Sequence, residues 1–308
     1  MNKFKFLAML VAMTFLAACS MEGPGTGSDE ESGGGTESDG EYTIGFSIST
    51  LNNPFFVTLS EGAEAKAEEL GANISVVDAQ NDAAKQASDV EDLIQQGVDL
   101  ILINPVDSEA VATAVESANN ADIPVISVDR SVEGGEVVSH IASDNVAGGE
   151  MAGEYLLSLV GEDAQVAELQ GVPGASATRE RGEGFNNVAQ ESLDVVAQQT
   201  ANFDRAEGLS VMENILQSNP DITGVFAHND EMALGALEAI EAAGKDIQVV
   251  GFDATEDAVQ AVEEGRLAGT VAQKPELIGE TGVETAVQFL DGEDVEASIP
   301  VELELIQP

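Results

Sequence analysis

Beyond residue 41 the chain alternates short β-branched runs with longer stretches whose apolar residues recur every three or four positions. Tyr42–Thr50 predicts a strand, and Phe55–Leu70 a helix closed by Gly71. Ile74–Asp78 predicts the next strand, with a helix near Ala84–Gln96 ended by Gly97. Leu100–Asn104 and Val125–Asp129 predict strands flanking a helix over Ser108–Asn119. A second set follows: Gln165–Gln170, Val195–Thr200, Gly224–Asn229 and Gln248–Asp253 as strands, with helices between. Runs such as Leu100-Ile101-Leu102-Ile103 lack polar alternation, as expected of strands covered on both faces. Repeated strand–helix units imply parallel sheets with right-handed crossovers, an α/β protein.

The two sets echo one another. Asn104 and Asp129 close adjacent predicted strands 25 positions apart; Asn229 and Asp253 do so 24 apart. Each half thus puts an asparagine and an aspartate at the carboxyl ends of neighbouring strands, the edge where open α/β sheets bind ligands. Two such halves predict a cleft between two lobes, with polar groups from both converging on one small molecule.

The first 41 residues follow another pattern. Lys3 and Lys5 precede an apolar run from Phe6 to Ala18, too short to span a bilayer comfortably and ending in small residues. Leu16-Ala17-Ala18-Cys19 resembles a bacterial lipobox. That resemblance implies a leader over 1–18, cleavage before Cys19 and lipidation of its thiol, hence an exported protein held at a membrane. An ordinary secretory signal with a chance cysteine is the alternative. Residues 19–41, rich in Gly, Ser, Thr, Asp and Glu, predict a self-repelling tether. No later stretch is apolar enough for a membrane helix.

Charge narrows the function. Eleven basic residues against 57 acidic give −46 over 308 residues; loss of Lys3 and Lys5 with the leader leaves nine basic residues and −48. Such a surface repels phosphate backbones, so nucleic acid is not an expected partner. One cysteine and two histidines make a poor transition-metal set, and no cofactor is expected. Self-repulsion of this size predicts a protein adapted to concentrated salt.

The polar strand ends suit a neutral sugar, whose hydroxyls need carboxylates, amides and guanidiniums and whose C–H faces need flat apolar walls. Candidate contacts are Ser49, Asn53, Phe55, Phe56, Asn104, Asp129, Arg130, Arg181, Phe203, Asn229, Asp253 and Gln273. Asp129 and Asp253 against Arg130 and Arg181 sum to zero, which favours an uncharged polyol over a sugar phosphate. Blander roles stay open at each position. Asp129 and Asp253 could cap helices, Phe55 and Phe56 could be core, and Asn53-Pro54 could be a turn and helix start. Arg179 and Arg181 could merely pair with neighbouring acids such as Glu180 and Glu183.

At these residues the chain resembles the ribose-binding proteins of bacterial ABC importers, sugar-binding relatives of the ligand domains of lactose-repressor-type regulators. The strings that carry the likeness are Ser49–Phe56 (STLNNPFF), Ile103-Asn104-Pro105, Gly135–Asn145 (GEVVSHIASDN), Arg179–Phe185 (RERGEGF), Asn229–Ala236 (NDEMALGA) and Val249–Asp253 (VVGFD). The resemblance implies a periplasmic-binding-protein type I fold with two doubly wound lobes, 42–143 plus 274–302 and 144–273 plus 303–308. Its three hinge strands would lie near Ser143–Asp144, Gln273–Lys274 and Glu302–Leu303. It implies a pyranose ring held between Phe55, Phe56 and Phe203, with the other nine candidates around the hydroxyls. It also implies a monomer that closes on ribose and is read by a membrane permease, or by a chemoreceptor or sensor kinase. Allose, galactose, xylose or a furanose signal is the alternative ligand. His228 departs from the glutamine expected beside the binding asparagine; alternation along a strand should turn it to the opposite side.

Two rival classes fare worse. A glycosidase could pair Asp129 with Asp253, but Arg130 and Asn229 beside them should keep both ionised, and no Walker loop, nucleophile elbow or zinc signature is present. A repressor needs a DNA-binding helix pair where this chain has the lipobox and acidic tether.

Overall fold

A computed structural model describes residues 41–308; Cys19, the leader and the tether up to residue 40 lie outside the described residues. The chain first builds β1 (Thr43–Ile48), α1 (Pro54–Leu70), β2 (Asn73–Asp78), α2 (Ala83–Gln96), β3 (Leu100–Ile103), α3 (Ala112–Asn120), β4 (Val125–Val128) and β5 (Ser139–Ser143). It continues through α4 (Asn145–Val160), β6 (Ala164–Gln170), α5 (Ser176–Ser192), β7 (Leu193–Thr200), α6 (Arg205–Ser218) and β8 (Gly224–Ala227). Then come α7 (Asp230–Ala242), β9 (Gln248–Asp253), α8 (Glu256–Glu263), β10 (Gly269–Ala272), α9 (Pro275–Leu290), β11 (Ser298–Val301) and β12 (Glu304–Ile306).

These strands form two six-stranded sheets, ordered β11-β5-β4-β3-β1-β2 and β12-β10-β9-β8-β6-β7. The orders are the same when each half is counted from its own first strand. In both, the direction of winding reverses beside that strand, between β1 and β3 and between β6 and β8, opening a crevice at the carboxyl edge. The chain passes from the first sheet to the second after β5, returns after β10, and passes again between β11 and β12. This is the two-lobed α/β architecture expected from the alternation, with one difference: β12 runs antiparallel to β10. It enters from the opposite direction because only two residues separate it from β11.

The unbroken apolar runs behave as their composition dictates. In β3, Leu100 and Leu102 join one core, shared with α1 and α9, while Ile101 and Ile103 join another, under α2 and α3. Successive side chains point to opposite faces, and both faces are covered. The second sheet likewise divides Val225 and Phe226 of β8 between two cores.

Helix ends carry ordinary stop and start chemistry. The Asn53 side chain accepts from the Phe55 amide ahead of Pro54, and Gly71 closes α1 at φ 71°. Helix α3 begins at Ala112, four residues later than expected. Asp107 Oδ1 instead accepts from the Glu109 and Ala110 amides, and the Ser108 amide donates to the Gly174 carbonyl at 2.9 Å. The ladder breaks one turn in, because the Ser108 carbonyl accepts from the Glu133 amide at 2.9 Å and the Ala112 amide turns to the Glu109 carbonyl instead.

Three helix pairs cross with backbones in close contact, each through a reciprocal glycine. A Cβ on Gly62 of α1 would lie 2.4 Å from the Glu276 carbonyl oxygen, and one on Gly279 of α9 2.1 Å from that of Leu59. Gly149 of α4 meets Arg181 and Gly184 of α5 meets Val146 in the same way, as do Gly208 of α6 with Met232 and Gly235 of α7 with Arg205. Two of these glycines, Gly184 and Gly235, lie inside the RERGEGF and NDEMALGA strings, so part of what those strings specify is helix packing.

Candidate functional site

The carboxyl edges of both sheets meet across a cavity lined by Asn53, Phe55, Phe56, Asp129, Arg130, Ala177, Arg181, Phe203, Asn229, Asp253 and Gln273. From the first half, the loop after β1 and the start of α1 supply Asn53 and the two phenylalanines, while the residues after β4 supply Asp129 and Arg130. From the second, Arg181 projects from α5, and Phe203, Asn229, Asp253 and Gln273 sit at or just past the ends of β7, β8, β9 and β10. Asp129, Phe203 and Asp253 have φ of 63°, 59° and 115°, a region L-residues rarely adopt. Backbone strain of this kind persists only where the surroundings over-determine it.

The aromatic walls come from both halves. Phe55 and Phe56 meet edge to face, with centroids 5.2 Å apart and planes at 88°. The Arg130 guanidinium lies 4.9 Å from the Phe56 ring and 5.4 Å from that of Phe203. Phe203 packs against the backbone of Gly171, where a Cβ would come within 2.0 Å of the ring.

The charged groups are buried and braced from behind. Asn104 Nδ2 donates to Asp129 Oδ2 at 3.0 Å and to the Val128 carbonyl at 3.1 Å, and its Oδ1 accepts from the Ser49 amide. Arg130 Nη1 donates to the Pro105 carbonyl at 3.0 Å, and its Nε lies 3.7 Å from Asp129. Arg181 donates through Nε to Asn145 and through Nη1 to the His228 carbonyl, and stands 3.6 Å from Asp253. Gln273 Nε2 donates to Asp253 at 2.9 Å. Burial pulls the Arg130 guanidinium down to about 10, against the pull of Asp129. Burial also pushes the Asp253 carboxyl well above the usual carboxylate range, outweighing Arg181.

Among the described residues, Arg130 Nε and Gln273 Oε1 are buried without a hydrogen-bond partner, as is Ser49 Oγ. An unmatched donor and an unmatched acceptor on one cavity wall suit a ligand whose groups both give and take hydrogen bonds.

Ten of the twelve candidates line the cavity. Ser49 and Asn104 stand one row back; Asn104 is fully buried and acts on Asp129. Neither aspartate caps a helix. Asn53 and Asn229 do, for α1 and α7, while also lining the cavity. Arg179 pairs with Glu133 of the first lobe rather than with its helix neighbours. The His228 ring points away from the cavity, to Glu168 at 2.7 Å. Ala177 and Asn145 were not among the candidates. Alanine carries no chemical signal, and Asn145 acts only through Arg181.

Sequence comparison then decides the family. A periplasmic binding protein domain matches residues 44–294. The chain belongs to the periplasmic binding protein family. Within that family it is 54% identical over 305 residues to the ribose import binding protein RbsB of Bacillus subtilis, covering 99% of both chains. It is 56% identical over 266 residues to RbsB of Escherichia coli, covering 86% of this chain and 90% of the relative. Among solved periplasmic binding proteins, an ABC transporter solute binding protein from Bacillus halodurans with bound myo-inositol superposes with a TM-score of 0.82. It is 39% identical, covering 87% of this chain and 96% of the other. One from Actinobacillus succinogenes with bound D-allose gives 0.81 at 28% identity, covering 87% and 98%. Periplasmic binding proteins of this type thus hold several different polyols, so the ligand has to be argued from the site.

Proposed function

We propose that the chain is the extracytoplasmic sugar-binding component of an ABC importer, that D-ribose is its ligand, and that it does no chemistry on that ligand. The observation that carries this reading is the cavity itself. Two arginines, two aspartates and three amides from both lobes face three phenylalanine rings, with no surplus charge for a phosphate to satisfy. The relatives named for ribose import, at 54–56% identity, favour ribose over other neutral sugars. Isothermal titration against a panel of pentoses and hexoses tests it. Ribose is expected to bind tightest and to be recovered unchanged; tighter binding of allose, galactose or xylose reassigns the ligand, and turnover ends the reading.

The lobes, 42–143 with 274–302 and 144–273 with 303–308, move about hinges near Ser143–Asp144, Gln273–Lys274 and Glu302–Leu303. Support comes from burial. Asp129, Arg130, Arg181, Asn229 and Asp253 on the cavity wall are each at most 6 % exposed, so ligand enters by parting the lobes. Closure is reinforced away from the sugar: the Ser131 amide donates to Ser176 Oγ at 3.0 Å and Arg179 pairs with Glu133. These bonds join residues of different lobes, so they favour the closed state and raise apparent affinity. Ser176→Ala is expected to weaken ribose binding roughly fivefold, about 1 kcal/mol, by faster release; stopped-flow dissociation reads it.

The anchor at Cys19 and a salt-adapted surface complete the reading, both resting on sequence. With −48 on the processed chain, the melting temperature should rise markedly from dilute buffer to molar KCl. A melting temperature indifferent to salt removes that adaptation.

A further inference from the structure

We infer that Asp230, a fully buried carboxylate outside the cavity lining, is the positioning residue that fixes Asp253 for its sugar contact. The inference rests on the sugar-binding reading above and adds a residue to it. Asp230 opens α7, next to Asn229, yet is fully buried. Its Oδ1 accepts from Thr270 Oγ1 at 2.7 Å, and its Oδ2 from the Thr255 amide at 2.8 Å and hydroxyl at 3.3 Å. Thr270 Oγ1 in turn accepts from the Ala254 amide at 3.2 Å. Both residues that follow Asp253 are therefore tied to one carboxylate, one directly and one through a hydroxyl. The Thr255 side chain, at the position where it could cap α8, makes no capping bond.

The tether lies where the backbone is least able to hold itself. Asp253 and Ala254 both have positive φ, 115° and 55°. Residue 251 must be glycine for the carboxylate to sit there, since a Cβ would come within 2.3 Å of Asp230 Oδ1. The first lobe meets the same need differently. Asp129, also at positive φ, is held by Asn104, whose Nδ2 reaches both Val128 and Asp129. The echo of Asn104 in the second lobe is Asn229, but its Oδ1 accepts from the Met232 amide and its Nδ2 reaches the Phe203 carbonyl. With that amide engaged elsewhere, the next residue supplies the brace.

The test is isothermal titration of the full chain with D-ribose, in mildly alkaline buffer where the Asp230 carboxyl, pushed up to about 7 by burial, is ionised. Asp230→Asn keeps the volume and loses acceptors; it should weaken ribose binding about 10- to 100-fold. Thr270→Val should weaken it in the same direction by less. A double-variant cycle separates positioning from general damage. In the Asp253→Asn background Asp230→Asn should cost under about twofold, whereas with Arg130→Ala, across the cleft, it should cost its full factor. Wild-type affinity in Asp230→Asn, or full multiplication with Asp253→Asn, overturns the inference. Amide exchange in sugar-free protein reads the tether alone: Ala254 and Thr255 should exchange at least about tenfold faster in Asp230→Asn. Unchanged exchange overturns the tether even if ribose binds, whereas wild-type protein that binds no sugar fails the functional reading instead.

Discussion

Arg130→Ala is expected to lower ribose affinity on the order of a hundredfold or more, and Asp129→Ala by a similar factor. Both side chains are buried, so the cost of taking them from water is already borne in the fold. Removing either leaves the other buried without its neighbouring opposite charge, a loss of about 3 kcal/mol for a buried pair. Arg130 also spans the site, touching Phe56 in one lobe and Phe203 in the other, so its loss takes a closure contact with it. Arg266→Ala, which removes an exposed pair with Glu241, should leave affinity unchanged. Retained binding in both cavity variants would place the sugar elsewhere.

The second large effect is on the fold. Gly184→Ala puts a Cβ 2.0 Å from the Val146 carbonyl oxygen, a backbone atom that cannot turn aside. Helices α4 and α5 must separate, at a cost of about 2–3 kcal/mol, or roughly 4–12 °C in melting temperature for a chain of this size. Because α5 also carries Arg181, ribose affinity should fall together with stability. Gly153→Ala, on the same helix pair, meets only side chains at 3.2 Å and beyond, and should cost less than half as much. Equal effects from the two variants would mean the backbone contact is not what sets the crossing.

What the sequence announced, and what it withheld, divides along physical lines. β3 was legible because a strand covered on both faces needs no polar alternation, and four consecutive large apolar residues say so. The Asn–Asp echo was legible because both halves use the same two strand ends. Short strands such as β5 and β10–β12, three to five residues each, carry too little period to stand out. The start of α3 was missed because the Glu133 amide, beyond the next strand, takes the Ser108 carbonyl that the Ala112 amide would have used. Asp230 was invisible for a different reason. An acid in the first turn of a helix is the ordinary surface choice, and only the fold reveals that Thr255 and Thr270 bury it. Ser49 and Asn104 were legible as polar strand ends, but their depth behind the cavity depends on side-chain directions that spacing does not carry.

The threefold passage of the chain between sheets has a consequence for biosynthesis. The first lobe owes α9 and β11 to residues 275–301, and its core draws Ile278, Val283, Ala286 and Val301 from there. While the ribosome is still making that segment, the earlier-synthesised lobe keeps an apolar face uncovered, whereas the later one already has all but its β12 edge. Nascent chains of this protein should therefore close the buried core of the second lobe before that of the first, reversing the order of translation.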